Sequence, residues 1–574
     1  MQLIRRFRIP ALFCALAVLL CELASHPFAE MGISDEWSYI RSAQKLAATG
    51  HILYSGWSSP MMLSQLYLGA AFIKLFGFSF TTVRMSTVFI AAVMAFVLQR
   101  TLVAANITER NATIATLAFV LSPLYLLLSA TYMTDISGLF AILICLYGCL
   151  QALQSRTSRS TITWLCFAVA TNAIFGTSRQ IAWLGILVML PSTLWLLRNQ
   201  RRVLLAGIAA NISGFLFILA CMLWFARQPY TMPQHLLVGT FPAGSIFWQL
   251  INFFLDFPIL LLPIFIFFIP QLFLPQLRKS SPRSLAILFL TYLYIAVHPR
   301  HHNHIFLLEP TDGDWVSALG IYGYPNLNGN PPVFLHTSIL VLLTILSFGG
   351  LIGLIALMLR PRQTPSTLNS PTLSWQQLGI LLVPFSIAYT ALLIPRAGIS
   401  PIFDRYALAL LVIALLCVTR YYQDRVQPKL PLISLLFVAI VAAYSIILVH
   451  NTFSFYRARI ALAAELRAAN IPDTSVDNGW EYNSWVELQH ADHINESTVE
   501  VPAHAYTPTP PLPANTCPMF WYDKTPHIHP LYGVSFDPNA CYGPTPFAPV
   551  HYSRWPSPIP GTLYVVHYLP PSKP

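Results

Sequence analysis

Charge is what this chain has least of. Only 10% of its 574 residues are Asp, Glu, Lys or Arg, where a soluble globular protein carries roughly a quarter. That scarcity excludes an ordinary soluble enzyme. The nine cysteines include no C-x-x-C pair, which argues against a metal knuckle. No Gly-rich strand–loop–helix phosphate cradle is present. No internal repeat marks the chain as a transporter of two related halves.

Apolar sequence is abundant instead. Hydrophobic residues make up 55% of the chain and the mean hydropathy is +0.59, with runs long enough to cross a bilayer recurring along most of it. The fold class is an all-α polytopic membrane protein of about thirteen transmembrane helices. Spans are expected near 9–26, 81–103, 111–129, 135–153, 161–176, 181–197, 203–225, 248–275, 284–297, 334–359, 376–395, 405–419 and 431–449. Between the first two lies a long loop, 27–80, whose apolar stretch 60–76 ends near Lys74 and suits a helix lying at the interface. From Asn451 the composition shifts, and after Val501 proline becomes frequent. Two domains are therefore expected: 1–450 in the membrane, and a small α+β or loop-rich C-terminal domain over 451–574.

The net charge of +11 reports orientation rather than a polyanionic partner. Basic residues cluster in short loops: Arg156 and Arg159; Arg198, Arg201 and Arg202; Arg278, Lys279 and Arg283; Arg360 and Arg362; Arg420, Arg425 and Lys429. Every second loop is basic, the positive-inside signature, so the expected location is the plasma (inner) membrane with a cytoplasmic N-terminus. The first apolar run is read as an uncleaved span, because Ala24-Ser25-His26 is a poor cleavage site. Seven cysteines fall in apolar spans; Cys517 and Cys541, in the tail, would pair if that tail faces an oxidising compartment.

With this topology the outer face collects nearly all the acidic and unusual groups. Asp35 and Glu36 are adjacent carboxylates just after the first span, where ionised groups are costly. Capping the amphipathic segment that follows would explain Asp35 alone; a carboxylate base at the membrane surface would explain the pair. Asp135 lies in a very short outer turn, either as another helix cap or as a second carboxylate that orients an acceptor. Three carboxylates on outer loops leave a divalent cation open as a cofactor, since hard cations want several oxygens. Arg179, Arg396 and Arg405 stand on the face where arginine is disfavoured. Snorkelling would account for them, and so would a phosphate clamp, because the guanidinium fork matches phosphate oxygens. The run His298-Pro299-Arg300-His301-His302-Asn303-His304 invites a metal, but its spacing is irregular and Pro299 breaks any helix face.

Taken together, these segments resemble the polytopic glycosyltransferases of the GT-C superfamily, and within it the bacterial relatives of protein O-mannosyltransferases and lipid A aminoarabinose transferases. The resemblance is carried by Asp35-Glu36, Gly77-Phe78-Ser79 with Val83-Arg84-Met85, Met133-Thr134-Asp135, Ser178-Arg179-Gln180, Phe403-Asp404-Arg405-Tyr406-Ala407-Leu408 and Asp477-Asn478-Gly479-Trp480-Glu481-Tyr482-Asn483. It implies inverting transfer of a sugar from a polyprenyl-phosphate donor to a lipid, glycan or protein acceptor on the extracytoplasmic face. Carried over by residue, it implies Asp35 as general base, with Glu36 and Asp135 beside the acceptor. It gives Arg84, Arg179, Arg405 and Tyr39 to the donor phosphate. One departure stands out: Ser58-Ser59-Pro60-Met61 occupies the place where relatives often carry Lys or His before a Pro-Pro pair. A flippase of lipid-linked sugars and an O-antigen polymerase or ligase are the competing readings.

Overall fold

The computed structural model describes residues 8–233, 243–273, 286, 327–332, 335–359, 373–399 and 402–570. Among these, seven helices are long and apolar enough to cross a membrane, or up to nine if each of two bent pairs is one span. The expected span 284–297, the loop 298–326 with its histidine run, and the basic groups 278–283 and 360–362 lie outside the described residues.

The chain enters through α1 (Ile9–Ser25), which closes on His26 in the left-handed region at φ 54°. It then forms a short amphipathic helix, α2 (Glu36–Thr49), stopped by Gly50 at φ 76°, where a residue without Cβ carries no steric penalty. The apolar stretch after residue 60 becomes α3 (Leu63–Phe76), only 14 residues long. At about 1.5 Å per residue it cannot cross a ~30 Å hydrocarbon layer. Ser79 then caps α4 (Phe80–Ala104) by accepting from the Thr82 amide.

The expected span 111–129 is two helices, α5 (Glu109–Val120) and α6 (Pro123–Ser129), bent by 66°. The cause is local. Pro123 has no N–H to continue α5, while Ser122 caps the new helix by accepting from the Tyr125 amide. Next come α7 (Thr134–Gln154) and α8 (Ser158–Phe175), then two 3₁₀ turns and a π turn running into α9 (Leu190–Leu196), and α10 (Arg201–Phe225). After α10 come α11 (Ala243–Leu255), α12 (Thr337–Met358), α13 (Trp375–Ile399), α14 (Leu408–Arg425) and α15 (Ser434–Ala468).

The core of the bundle is built where α4 meets α1 and α7, and where α7 meets α8. The outside stays apolar. On α10, Leu205, Ile212, Phe215, Leu216 and Leu223 are all exposed, a continuous band that suits lipid and not water. At one end of the bundle, loops are tied by polar contacts: Asn106 donates to the Leu373 carbonyl, Gln423 donates to the Asn106 carbonyl, and Arg110 donates to the Leu430 carbonyl. Arg420, Arg425 and Lys429 lie at this end. The opposite end carries α2, α3, the start of α7, the end of α8, the start of α14 and the tail.

The tail does not begin with a break. Helix α15 runs 35 residues, straight past Asn451 where the composition changes. Its first half exposes Leu435, Leu436 and Ile440, whereas Leu448–Tyr456 is buried under the tail. Asn451 donates to the Trp555 carbonyl and accepts from the Trp555 amide, and the His450 ring stacks on Trp555 at 3.7 Å. A four-stranded sheet, ordered β1 (Val476–Asp477), β2 (Tyr532–Ser535), β4 (Ser557–His567), β3 (Val550–Arg554), forms the tail with α16 (Trp480–Ala491). Cys517 and Cys541 are joined by a disulfide, their Cα atoms 5.7 Å apart.

Candidate active site

Asp35 and Glu36 are neighbours in sequence and part company in space. Successive residues at a helix start turn by about 100°, so one side chain enters the protein and the other leaves it. Glu36 is fully buried. Its Oε1 accepts the Ile33 amide at 2.8 Å and pairs with Arg84, and its Oε2 accepts the Tyr132 amide at 2.5 Å. Arg84, 2% exposed, also donates to the Ala29 and Met31 carbonyls. The guanidinium expected at the donor phosphate is thus turned inward, where it ties the loop before α2 to α4.

Asp35 faces outward. The Trp57 indole N–H donates to its Oδ1 at 2.8 Å, and an Arg405 Nη2 stands 3.9 Å from its Oδ2. The side chain keeps 26% of its exposure, so the carboxylate is held by these two partners without being buried.

A second pair lies alongside. Asp135, in the first turn of α7, is buried and forms an ion pair with Arg179; a carboxylate there is also favoured by the helix dipole. Arg179 sits between the two 3₁₀ turns with an extended backbone, φ −154°. Gly138 on α7 leaves it room, since a Cβ on that glycine would come 3.0 Å from the Arg179 Cβ. The turn is anchored to the surface helix by a 2.6 Å hydroxyl contact between Ser178 and Ser64.

The two pairs meet at aromatic rings. Tyr406 lies under both guanidiniums, 4.9 Å from that of Arg179 and 5.7 Å from that of Arg405. Arg405 also stands over the Phe403 ring at 5.0 Å. The buried Tyr39 phenol is pushed well above its ordinary value by burial and then by Asp35, while Arg405 acts in the opposite direction. It therefore stays protonated at neutral pH and can donate. Arg396 stands over Phe403 at 5.1 Å.

Asp35, Tyr39, Asp135, Arg179 and Arg405 thus gather at one end of the bundle, and Glu36 with Arg84 lies buried beneath them. The three carboxylates do not form a cation site. Glu36 belongs to Arg84 and Asp135 to Arg179, and among the described residues no group of three His, Cys, Asp or Glu side chains could hold a metal. Sequence reasoning missed Trp57, whose partners come from the far end of the chain: its ring lies 4.9 Å from Trp480 and 5.2 Å from Trp521. It also missed Tyr406, although that residue sits inside a motif already singled out.

The tail motif 477–483 fixes Trp480. Asp477 accepts from the Gly479 amide, the Asn483 amide group and the Tyr568 hydroxyl at 3.0, 2.6 and 2.6 Å. Glu481 pairs with Arg459 at 3.1 Å and accepts from Tyr456 at 2.7 Å. Gly479 is required here: its φ is 79° and a Cβ would lie 2.5 Å from an Arg459 nitrogen.

No family model matches the chain, and no curated protein matches it. Among solved structures it is similar to ArnT from Cupriavidus metallidurans bound to undecaprenyl phosphate, at 15% identity and a TM-score of 0.37, over 80% of each chain. It is similar to the Archaeoglobus fulgidus oligosaccharyltransferase in the apo form at 14% identity and a TM-score of 0.37, over 90% of this chain and 64% of that one. The S. cerevisiae protein O-mannosyltransferase Pmt1-Pmt2 complex bound to the sugar donor is similar at 12% identity and a TM-score of 0.29, over 38% of this chain and 32% of that one.

Proposed function

We propose that this chain is a membrane glycosyltransferase of the GT-C kind, moving a sugar from a polyprenyl-phosphate donor to an acceptor at the extracytoplasmic face. The observation that carries the reading is the Asp35 carboxylate, held at Oδ1 by Trp57 and facing Arg405 across 3.9 Å at Oδ2. A base and a phosphate-binding cation are thus side by side at the end of an apolar bundle. The sequence motifs point the same way.

Asp35 Oδ2 takes the proton of an acceptor O–H or N–H as that atom attacks the sugar's C1. The C1–O bond to the phosphate breaks, its electron pair leaves with the polyprenyl phosphate, and attack from the opposite face inverts the anomeric centre. A positioned base contributes roughly 10²–10⁴-fold. Charge growing on the leaving phosphate meets Arg405 and Arg179, whose rigid setting on Tyr406 means that they need not reorganise during the reaction. Asp135 keeps Arg179 oriented, and Tyr39 offers a neutral donor between the two pairs. Glu36 and Arg84 act at one remove, by fixing the loop that aims Asp35.

The test is mass spectrometry of glycans and lipid-linked sugars from cells lacking the gene and complemented with wild type or Asp35→Asn. Wild type should restore one glycan and consume one lipid-linked sugar, and Asp35→Asn, expressed to the same level, should do neither. Identical profiles in all strains would overturn the proposal.

A further inference from the structure

The tail carries an apolar feature that the site does not use. Where β3 turns into β4, every residue from Trp555 to Pro560 is exposed, and the run Trp-Pro-Ser-Pro-Ile-Pro holds no charge. Trp555 is 43% exposed and Ile559 71%. The tip is closed on itself by Ser557, whose hydroxyl donates to the Ile559 carbonyl and accepts the Ile559 amide, both at 3.1 Å. It is also fixed to α15. Asn451 meets the amide and the carbonyl of Trp555 at 2.7 and 2.8 Å. The Ser553 hydroxyl lies 2.7 Å from a His450 ring nitrogen and 3.0 Å from the Ser454 hydroxyl. An apolar patch held this firmly in the open marks an interaction site.

The anchors set the tip's height along the bundle. From Ser434 to Tyr456, α15 contains no Asp, Glu, Lys or Arg, and its first half exposes Leu435, Leu436 and Ile440. At about 1.5 Å per residue, a ~30 Å hydrocarbon layer entered at Ser434 is left about twenty residues later, near Ser454. Asn451 and Ser454 therefore stand where hydrocarbon gives way to headgroups. The first helix marks the same level independently. Leu16, Leu19, Leu20 and Leu23 form its exposed side, and it ends at Ser25. Arg457, one turn beyond the anchors on α15, donates to the His26 and Phe28 carbonyls just past that end, at 3.2 and 2.9 Å.

We propose that the Trp555–Pro560 tip dips into the headgroup layer of the leaflet on this side, with Trp555 and Ile559 as its anchors. Tryptophan suits that depth, since its ring is apolar and its indole N–H finds a partner among the headgroups. Lipid covers Ile559 and the open part of Trp555, and no charge within the tip has to leave water. A bilayer surface fits better than a second copy of the chain, because the tip is held at the edge of the apolar belt that α1 and α15 already present. Docked there, the hairpin fixes how high the tail rides over the membrane. The inference is independent of the transferase reading.

The experiment uses the full-length protein, labelled with 5-fluorotryptophan and observed by fluorine NMR, in nanodiscs of phosphatidylethanolamine and phosphatidylglycerol that hold one copy each. The signal lost in Trp555→Phe is that of Trp555. A phospholipid spin-labelled near the top of its acyl chain should abolish this signal, and a water-soluble gadolinium chelate should leave it visible. Ile559→Asp alters a side chain that packs on little else, so the fold is kept. In that variant the Trp555 signal should survive the spin-labelled lipid and become sensitive to the chelate. Loss of the wild-type signal to the chelate, with no effect of the spin-labelled lipid, would place the tip in water and overturn the proposal. A signal open to the chelate in single-copy discs, and protected only in discs holding two copies, would make the partner a second chain and overturn it equally.

Discussion

Replacing Glu36 by Gln keeps the side chain's volume and removes its charge, and the geometry sets the consequence. Arg84 is 2% exposed and loses the carboxylate that meets its Nε and Nη2. Removing one partner of a buried ion pair costs about 3–5 kcal/mol, chiefly because the other charge is left uncompensated. Arg84 retains the Ala29 and Met31 carbonyls and lies over the Phe453 ring at 5.2 Å, which favours the lower end, about 3 kcal/mol. There is a second loss. Both Glu36 oxygens accept backbone amides, and a Gln can offer only one oxygen, so either the Ile33 or the Tyr132 N–H faces another donor. The assay is thermal unfolding of purified protein in one detergent, followed by the fraction that stays monomeric. Glu36→Gln should melt several degrees below wild type. Glu36→Leu combined with Arg84→Met removes the uncompensated charge and so recovers only that part of the loss, because the Ile33 and Tyr132 amides and the Ala29 and Met31 carbonyls then have no partner. A Glu36→Gln protein that melts like wild type but transfers no sugar would rule out this structural role, since Glu36 would then act on the reacting atoms.

Two further outcomes are expected. Arg405→Lys keeps a cation but loses the fork and the planar contact with Phe403, so kcat should fall roughly 10- to 100-fold with the melting temperature little changed; an unaltered kcat would remove Arg405 from the phosphate. In the tail, burial alone would raise the Glu496 carboxyl, but Lys524 and the Thr498 amide hold it below its ordinary value. A carboxyl depressed by folding contributes stability that is complete above its unfolded value and lost as pH falls through its folded one. Protection of the amides around Lys524, taken relative to intrinsic exchange at each pH, should therefore fall below about pH 4.3, and Glu496→Gln should flatten that dependence; identical profiles for the two proteins would contradict it.

The candidate site was legible for a physical reason. In a chain this apolar every charge is conspicuous, so Asp35, Asp135, Arg179 and Arg405 could be picked out singly, and the alternation of basic loops assigned them to one face. The length of the apolar runs placed α4, α7 and α10 within two residues at each end, and α14 with its end six residues short. It failed where backbone chemistry interrupts a span, as at Ser122-Pro123. It also could not see that α15 carries on past Asn451, because a composition change does not stop a helix that has no breaker. The division of labour between Asp35 and Glu36 was hidden for another reason. It is decided by the rotation at the α2 N-terminus and by a guanidinium on α4. Trp57 was less visible still, since what makes it matter is its packing against Trp480 and Trp521, hundreds of residues away in sequence.

On the proposed mechanism Asp35 takes the acceptor's proton while Glu36, its neighbour, does not. The direct measurement is transfer by purified protein in proteoliposomes, comparing wild type, Asp35→Asn and Glu36→Gln, with each variant's melting point recorded and the product's anomeric configuration read by NMR. The expected result is an inverted product from wild type, a loss in Asp35→Asn of roughly 10²–10⁴-fold at an unchanged melting point, and measurable transfer by Glu36→Gln below its lowered melting point. Retained turnover in Asp35→Asn, or a product of retained configuration, would contradict it.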